Sequence, residues 1–407
     1  MAFEAKTQPE TEPVAVYTPM RWTVQEIRDA IPSKYFERST ATSFRYLAQD
    51  IVMATCLGVA ASHIDPWFRA QASSSASAMV FLQVAKWATW AAYWWFQGLV
   101  FTGMWIVGHE CGHGSFSPHK FLSDVVGFVL HSFLWTPYHS WRISHHHHHM
   151  YHNSMERDEA FVPKVRSELG IPNVAKEQVP WHEHFEDTPI YTLLTLIPRH
   201  LLGFPIYLLF NASGQKDYPW PTSHIDPTAV IFDKSQRHLI VLSDIGLLIM
   251  GLLVKAACDN WGAATVFKLY GIPWLLVSHW LVTVTYLHHT DPVVPHYRGK
   301  AWTYARGAAS TVDRDFLGWQ GYFFLHGISH YHVIHHFFPR MPHYHGKEAT
   351  QYLKAFLGEH YHHSDVPVFQ ALWQNYNACQ FVEDEGDVLF YRDKQGNSVA
   401  QAAETTS

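Results

Sequence analysis

An all-α integral membrane protein, with about four transmembrane helices, interfacial helices and a cytosolic histidine-rich cap, is the fold class that the sequence predicts. Three observations predict it. The 407 residues are 48% hydrophobic and include 17 Trp, 20 Tyr and 26 Phe, a composition suited to broad aromatic interfaces with lipid. Apolar runs recur at the length of about 20 residues that a bilayer core requires. Histidines number 31, more than the 29 lysines and arginines together, an excess that surface solvation does not require. The modest net charge of −6 argues against nucleic acid as a partner.

Residues 1–45 are read as an N-terminal cytosolic segment, because "MAFEAKTQPETEPVAVYTP" is polar and lacks the charged-then-apolar order of a cleavable signal. A membrane domain is expected over 46–392. Its clearest spans are 80–107, uncharged from Trp87 to Gly108, and 266–287, uncharged from Leu269 to Leu287. Weaker ones are 46–64, charge-free only from Ile51 to Ile64, and 238–256, which carries Asp244. Two further apolar stretches, 121–137 and 189–210, are broken by Asp124 and by Pro198, Arg199 and Pro205. They are expected to lie in the interface. The serine-rich "SSSAS" near residue 74 is of low complexity, and the polar tail 393–407 is expected to be disordered, so that truncation after Gly396 does little. Cys56, Cys111, Cys258 and Cys379 show no paired spacing and read as free thiols.

The histidines recur in a pattern. "HECGH" supplies His109 and His113, "HHHHH" supplies His145, His148 and His149, and "HVIHH" supplies His332, His335 and His336. On a helix, positions i, i+3 and i+4 share a face, so each set aims its imidazoles at a common point. Within the run of five, only 145, 148 and 149 satisfy that spacing. Starting at 146, 147 or 148 requires histidine where Met150 or Tyr151 stands, and starting at 149 requires it at Asn153. His146, His147 and His152 are then bystanders or outer-shell groups, and replacing His147 or His152 is expected to leave most of the activity. Two spans separate the second set from the third, an even number, so all three sets face one compartment. "NAS" at 211–213, on the same side, should never be glycosylated.

Imidazole suits zinc, copper, iron and nickel alike, but eight such ligands exceed what one four-coordinate ion uses and imply two metals. Two imidazole-ligated metals beside lipid suggest redox chemistry on an acyl chain. A rival reading takes "HECGH" as the H-E-x-x-H of a zinc protease with Glu110 as general base, and leaves six matching histidines unused. A metal-transport protein is a third reading, opposed because these histidines follow the spans rather than lying within them.

"GHECGHGSFS", "HSWRISHHHHH" followed by "MERDEAFVP", "GFPIYLLFNASG", "IVLSDIGLL", "TYLHHTDPVVPHY", "STVDRD" and "HVIHHFFPRMPHYHGKEAT" together resemble the membrane fatty acid desaturases of the fungal and plant type, over Pro19 to Tyr391. The resemblance implies an oxygen-dependent acyl-lipid desaturase, most simply one that turns oleoyl into linoleoyl at the delta-12 position, with an omega-3 (delta-15) or bifunctional enzyme as the alternative. It implies two iron ions held by the eight histidines, and a ninth ligand, His289, since the family commonly has glutamine at the position of His288. No catalytic residue beyond the metal ligands is implied. Its implied partners are a phospholipid-bound fatty acyl chain, dioxygen, and cytochrome b5 with its NADH reductase, which must act as a separate donor because no haem-type "HPGG" occurs here. It further implies the endoplasmic reticulum membrane, with the histidines cytosolic, and a narrow tunnel for the acyl chain. Gly114 stands where many relatives have a third histidine in the first set, and His146 and His147 replace basic or polar residues.

Overall fold

The computed structural model describes residues 15–71, 75–171 and 189–403; residues 1–14, part of the serine-rich stretch, and the last four residues of the tail lie outside them. The chain opens with β1 (Ala15–Tyr17) and α1 (Val24–Asp29), the latter started by a capping box in which Thr23 and Glu26 satisfy each other's backbone amides. Ser39 caps α2 (Thr40–Ser62), and α3 (Ile64–Ala70) follows directly. The long α4 (Ala76–His113) stops at Gly114, whose φ of +72° suits a residue without a side chain and lets two amides fold back onto the carbonyls of Glu110 and Cys111. Then come α5 (Lys120–Phe133), α6 (Tyr138–Tyr151), α7 (Pro189–Phe210), α8 (Arg237–Trp261), α9 (Ala263–Val266) and, after a π-helical turn at Phe267–Gly271, α10 (Ile272–His289).

The cap is built from short pieces. They are β2 (His296–Tyr297), α11 (Tyr304–Ala309), β3 (Val312–Arg314), α12 (Trp319–Phe324), α13 (His332–Phe337), α14 (Gly346–Leu357), β4 (His362–Ser364), α15 (Val368–Ala378), β5 (Val388–Leu389) and β6 (Ala400–Ala402). Three two-stranded sheets tie distant parts together: β2 runs antiparallel to β5, β3 parallel to β4, and β1 parallel to β6. The last pairing corrects the expectation for the tail, which is not without structure: Ala400–Ala402 forms a strand on the N-terminal segment.

Helices α4 and α10 form the middle of the membrane-type layer, with α2 packed on α4 and α7 on α10. Trp95, Leu99, Phe101, Trp105, Trp280, Leu281, Val284 and Leu287 belong to the main core that they share. Among the described residues, three segments are long and apolar enough to cross a membrane by length and composition: Thr40–Ala70, Thr192–Phe210 and Lys234–Trp261. They differ from the expected set in an instructive way. The stretches read as clearest, in α4 and α10, are not among the three: Trp and Tyr recur along α4, α10 ends in His288 and His289, and Gln97, Thr102, Ser278 and Thr283 sit buried along the two helices.

The stretch 189–210, read as a helix whose apolar run is interrupted, is one continuous helix that accommodates Pro198 and Pro205. Its outward side chains Leu194, Ile197, Leu202 and Ile206 are exposed, while His200 Nδ1 lies 3.0 Å from Thr283 Oγ1 of α10. The helix is tied to its neighbours at two points: Arg199, midway along it, donates to Tyr376 of α15, and Tyr207, near its C-terminal end, donates to Ser144 of α6.

Candidate metal centre

The histidines converge where α4, α6 and α10 end and α13 begins. Helical spacing does the local work. In α4, His109 and His113 are one turn apart with their Nε2 atoms 3.1 Å from each other, and in α6, His145 and His149 repeat the arrangement at 3.1 Å. His335 joins them from α13, its ring centroid 4.7 Å from that of His109 and 4.8 Å from that of His149. The ligand atoms of His109, His113, His145, His149 and His335 all lie within 4.8 Å of one another.

A second group abuts the first. His148, His152, His289 and His336 offer nitrogens within the same 4.8 Å of one another, and all four are buried. His332 adds a fifth ring at its edge, with Nε2 3.2 Å from both His289 Nε2 and His336 Nε2. The stacked rings of His149 and His336, with centroids 4.2 Å apart, join the groups. All nine histidines singled out in the sequence are therefore brought together, His289 among them. His288 points elsewhere, its Nδ1 donating to the Val312 carbonyl. His146 is exposed and His147 reaches only toward Glu159, as expected for bystanders.

His152 corrects the reading. It was set aside because it breaks the i, i+3, i+4 rule counted from His145, yet it stands four residues after His148 and lies inside the second group. That i, i+4 relation was the available signal. Also missed was Asp158, in the "MERDEAF" stretch. Its Oδ1 accepts from His148 Nδ1 at 2.7 Å and its Oδ2 from the Asn153 amide at 2.8 Å, the carboxylate support that orients a metal-binding imidazole.

Glu110 has an outer role rather than that of a protease base. Buried between rings, its Oε1 lies 3.3 Å from His109 Nδ1 and 4.0 Å from His335 Nδ1, while its Oε2 accepts from Ser115 Oγ at 2.7 Å and from the His343 amide at 3.2 Å. The carboxylate is enclosed by protein, with Oε2 held by Ser115 and the His343 amide and Oε1 turned toward the His109 and His335 rings rather than toward open solvent. The two histidines of "HECGH" moreover share their site with three from other helices.

The donor set fits a cationic metal on physical grounds. Burial holds His149, His152, His332 and His336 well below the ordinary imidazole range, and pushes His335 down to about 3, so the rings are neutral ligands. Three Nε2 atoms meet at His289, His332 and His336, and a neutral imidazole has only one N–H to share among such contacts. A cation shared by the nitrogens satisfies lone pairs that hydrogen bonds alone leave over.

The comparisons with known proteins agree with this geometry. The fatty acid desaturase family model matches residues 86–366. The chain belongs to the fatty acid desaturase family. It is 43% identical over 379 residues to a Delta(12) fatty acid desaturase of Mortierella isabellina, covering 91% of this chain and 90% of that one. A Delta(12)-fatty-acid desaturase of Arabidopsis thaliana is 39% identical, with 92% of each chain covered. An oleoyl-12-hydroxylase of Ricinus communis is 38% identical, with 93% of each covered. The matched span of this desaturase-family chain contains every histidine of both groups.

Proposed function

We propose that this protein is an oxygen-dependent desaturase that introduces a cis double bond at the delta-12 position of a lipid-bound oleoyl chain, giving linoleoyl. The observation that carries the reading is the meeting of two buried imidazole groups at the ends of apolar helices. The position of the double bond follows the Delta(12) desaturases to which the chain is similar. Two iron ions are the metals proposed, one for each group, with His109, His113, His145, His149 and His335 on the first and His148, His289, His332 and His336 on the second. Iron supplies the oxidising power that unactivated C–H bonds demand, which zinc, without redox chemistry, does not.

The chain's own residues do the rest. Asp158 fixes the tautomer and direction of His148, and Glu110 does so for His109, which keeps the ligands in place through turnover. Trp105 and Trp141 stack behind His109 and His145, closing that wall of the site to water. The overall reaction removes one hydrogen from each of two adjacent methylenes; with two electrons and two protons it reduces one dioxygen to two waters. The electrons come from a separate donor, proposed to be cytochrome b5 with its NADH reductase.

The proposed setting is the endoplasmic reticulum membrane with α2, α4, α8 and α10 crossing and the cap cytosolic. The tie of Arg199, midway along α7, to Tyr376 of α15 in the cap supports an interfacial course for that helix, which keeps the number of crossings between the histidine sets even. The acyl chain is proposed to run in a narrow tunnel between the spans and the cap.

Expression in a yeast that makes only monounsaturated chains, followed by gas chromatography of fatty acyl esters, tests the function. Linoleate is the expected product, and absence of any diene overturns the proposal. One observation favours watching a second product: the similarity to an oleoyl-12-hydroxylase, which makes a 12-hydroxy chain the specific competing outcome. A triene would point to the omega-3 or bifunctional alternative, which nothing in the comparisons favours.

A further inference from the structure

We propose that His152 is itself a metal ligand, a fifth imidazole for the second ion beside His148, His289, His332 and His336. The inference rests on the two-metal reading above. His152 follows the last residue of α6, its ring is buried, and its Nδ1 lies 2.8 Å from the Gly307 carbonyl oxygen. A carbonyl only accepts, so Nδ1 carries the proton and the neutral ring presents a bare lone pair at Nε2. That Nε2 is buried with no hydrogen-bond partner. Its ring centroid stands 4.3 Å from His336, 4.6 Å from His289 and 5.0 Å from His148, as close as the rings of the first group stand to one another.

Donation of Nδ1–H to a backbone carbonyl, with the other nitrogen turned to the ion, is the way ligand imidazoles are held. Position decides the matter, as His288 shows. It has the same backbone-donating Nδ1 and an unpartnered Nε2, but lies outside the four whose nitrogens converge and, unlike His332, whose Nε2 is 3.2 Å from both His289 Nε2 and His336 Nε2, makes no nitrogen contact with them. The approach of α11 to His152 is also made for the purpose. A Cβ on Gly307 would fall 2.3 Å from the His152 backbone oxygen, so only glycine lets that strip of backbone come close enough to hold the ring. With His152 counted, each ion has five imidazoles.

The test measures metal rather than turnover alone. Wild-type, His152→Gln and His146→Ala proteins are purified with iron, and iron per chain, the Mössbauer spectrum and the rate of iron loss to a chelator are recorded. The expected result for His152→Gln is one iron of two lost to the chelator at least about 10-fold faster, with one quadrupole doublet changed and the other kept. His146→Ala should match wild type, because that ring is exposed and outside both groups. A His152→Gly protein given free imidazole should recover the slower release, which a merely structural histidine does not allow.

Release and spectra equal to wild type in His152→Gln would overturn the proposal while leaving the two-iron reading intact. So would a His152→Gln protein that fails to fold, if imidazole does not slow iron release from the glycine variant. Wild-type protein carrying no pair of irons would instead overturn the two-metal reading, and with it the proposal.

Discussion

A carboxylate ten residues from its histidine decides how firmly one ligand is held. Asp158 accepts from His148 and from the amides of Asn153 and Ala160, so its charge is spread over three donors and its position is fixed. Asp158→Asn keeps the shape but can offer an amide N–H where the imidazole N–H must be accepted. We expect metal affinity at the second group to fall by about 10- to 100-fold, checked by chelator competition. His148→Ala and His335→Ala should abolish diene formation in the yeast assay, while His147→Ala should retain most of it. A His147→Ala protein as dead as His148→Ala would refute the division of the run into ligands and bystanders. Eight of the histidines were legible because helical spacing is a local property of sequence, whereas His289 came only from the family resemblance. Asp158 and His343 were not, because the loops that fold them against the rings obey no period.

At the scale of elements, the tail and α7 carry predictions that differ from the reading of composition. Truncation after Gly396 removes β6 and leaves β1 without its partner strand. The structure therefore predicts a lower thermal midpoint and easier proteolysis near Ala15–Tyr17 in the truncated protein, where polarity alone suggested no effect. Asn211 ends α7 with its side chain buried, both polar atoms lacking partners, and Gly214 so close that a Cβ there would lie 2.3 Å from Asn211 Nδ2. No glycan fits on it, and a glycosidase should give no mass shift in wild type or in Asn211→Gln. The helices themselves were largely legible, but their ranking was not. Freedom from charge marked α4 and α10, whereas length and composition marked α2, α7 and α8, and the first pair carries Trp, Tyr and His with buried Gln97, Thr102, Ser278 and Thr283, which a protein interior tolerates.

For the molecule as a whole, buried neutral histidines set its response to acid. Burial pushes His224 down to about 4, and His296 and His335 down to about 3, against about 6.5 in an unfolded chain. Between those values the unfolded state binds more protons than the folded one. Stability is therefore fully present above about pH 6.5 and is lost as pH falls toward 3. Metal-free protein should show a steadily falling melting midpoint over that window by fluorescence-detected thermal unfolding, and a flat profile there would contradict the burial of these rings. The all-α class, the histidine sets and their meeting were readable from sequence. The cap's three small sheets were not, since each pairs strands of two or three residues, too short for alternation to show.

The pairing of Ala15 with Ala400 has a consequence for biogenesis. A ribosome delivers the first strand of that sheet long before the second exists, and shorter delays separate His109 from His335 in the first histidine group and His296 from Leu389 across β2 and β5. The helices can enter the bilayer one after another, but neither histidine group is complete until the chain has been made past His336, and the cap cannot close until β5 and β6 follow. Metal loading of either group is then a step that follows synthesis of the third histidine set, and a chain stalled before it is left with incomplete groups of imidazoles.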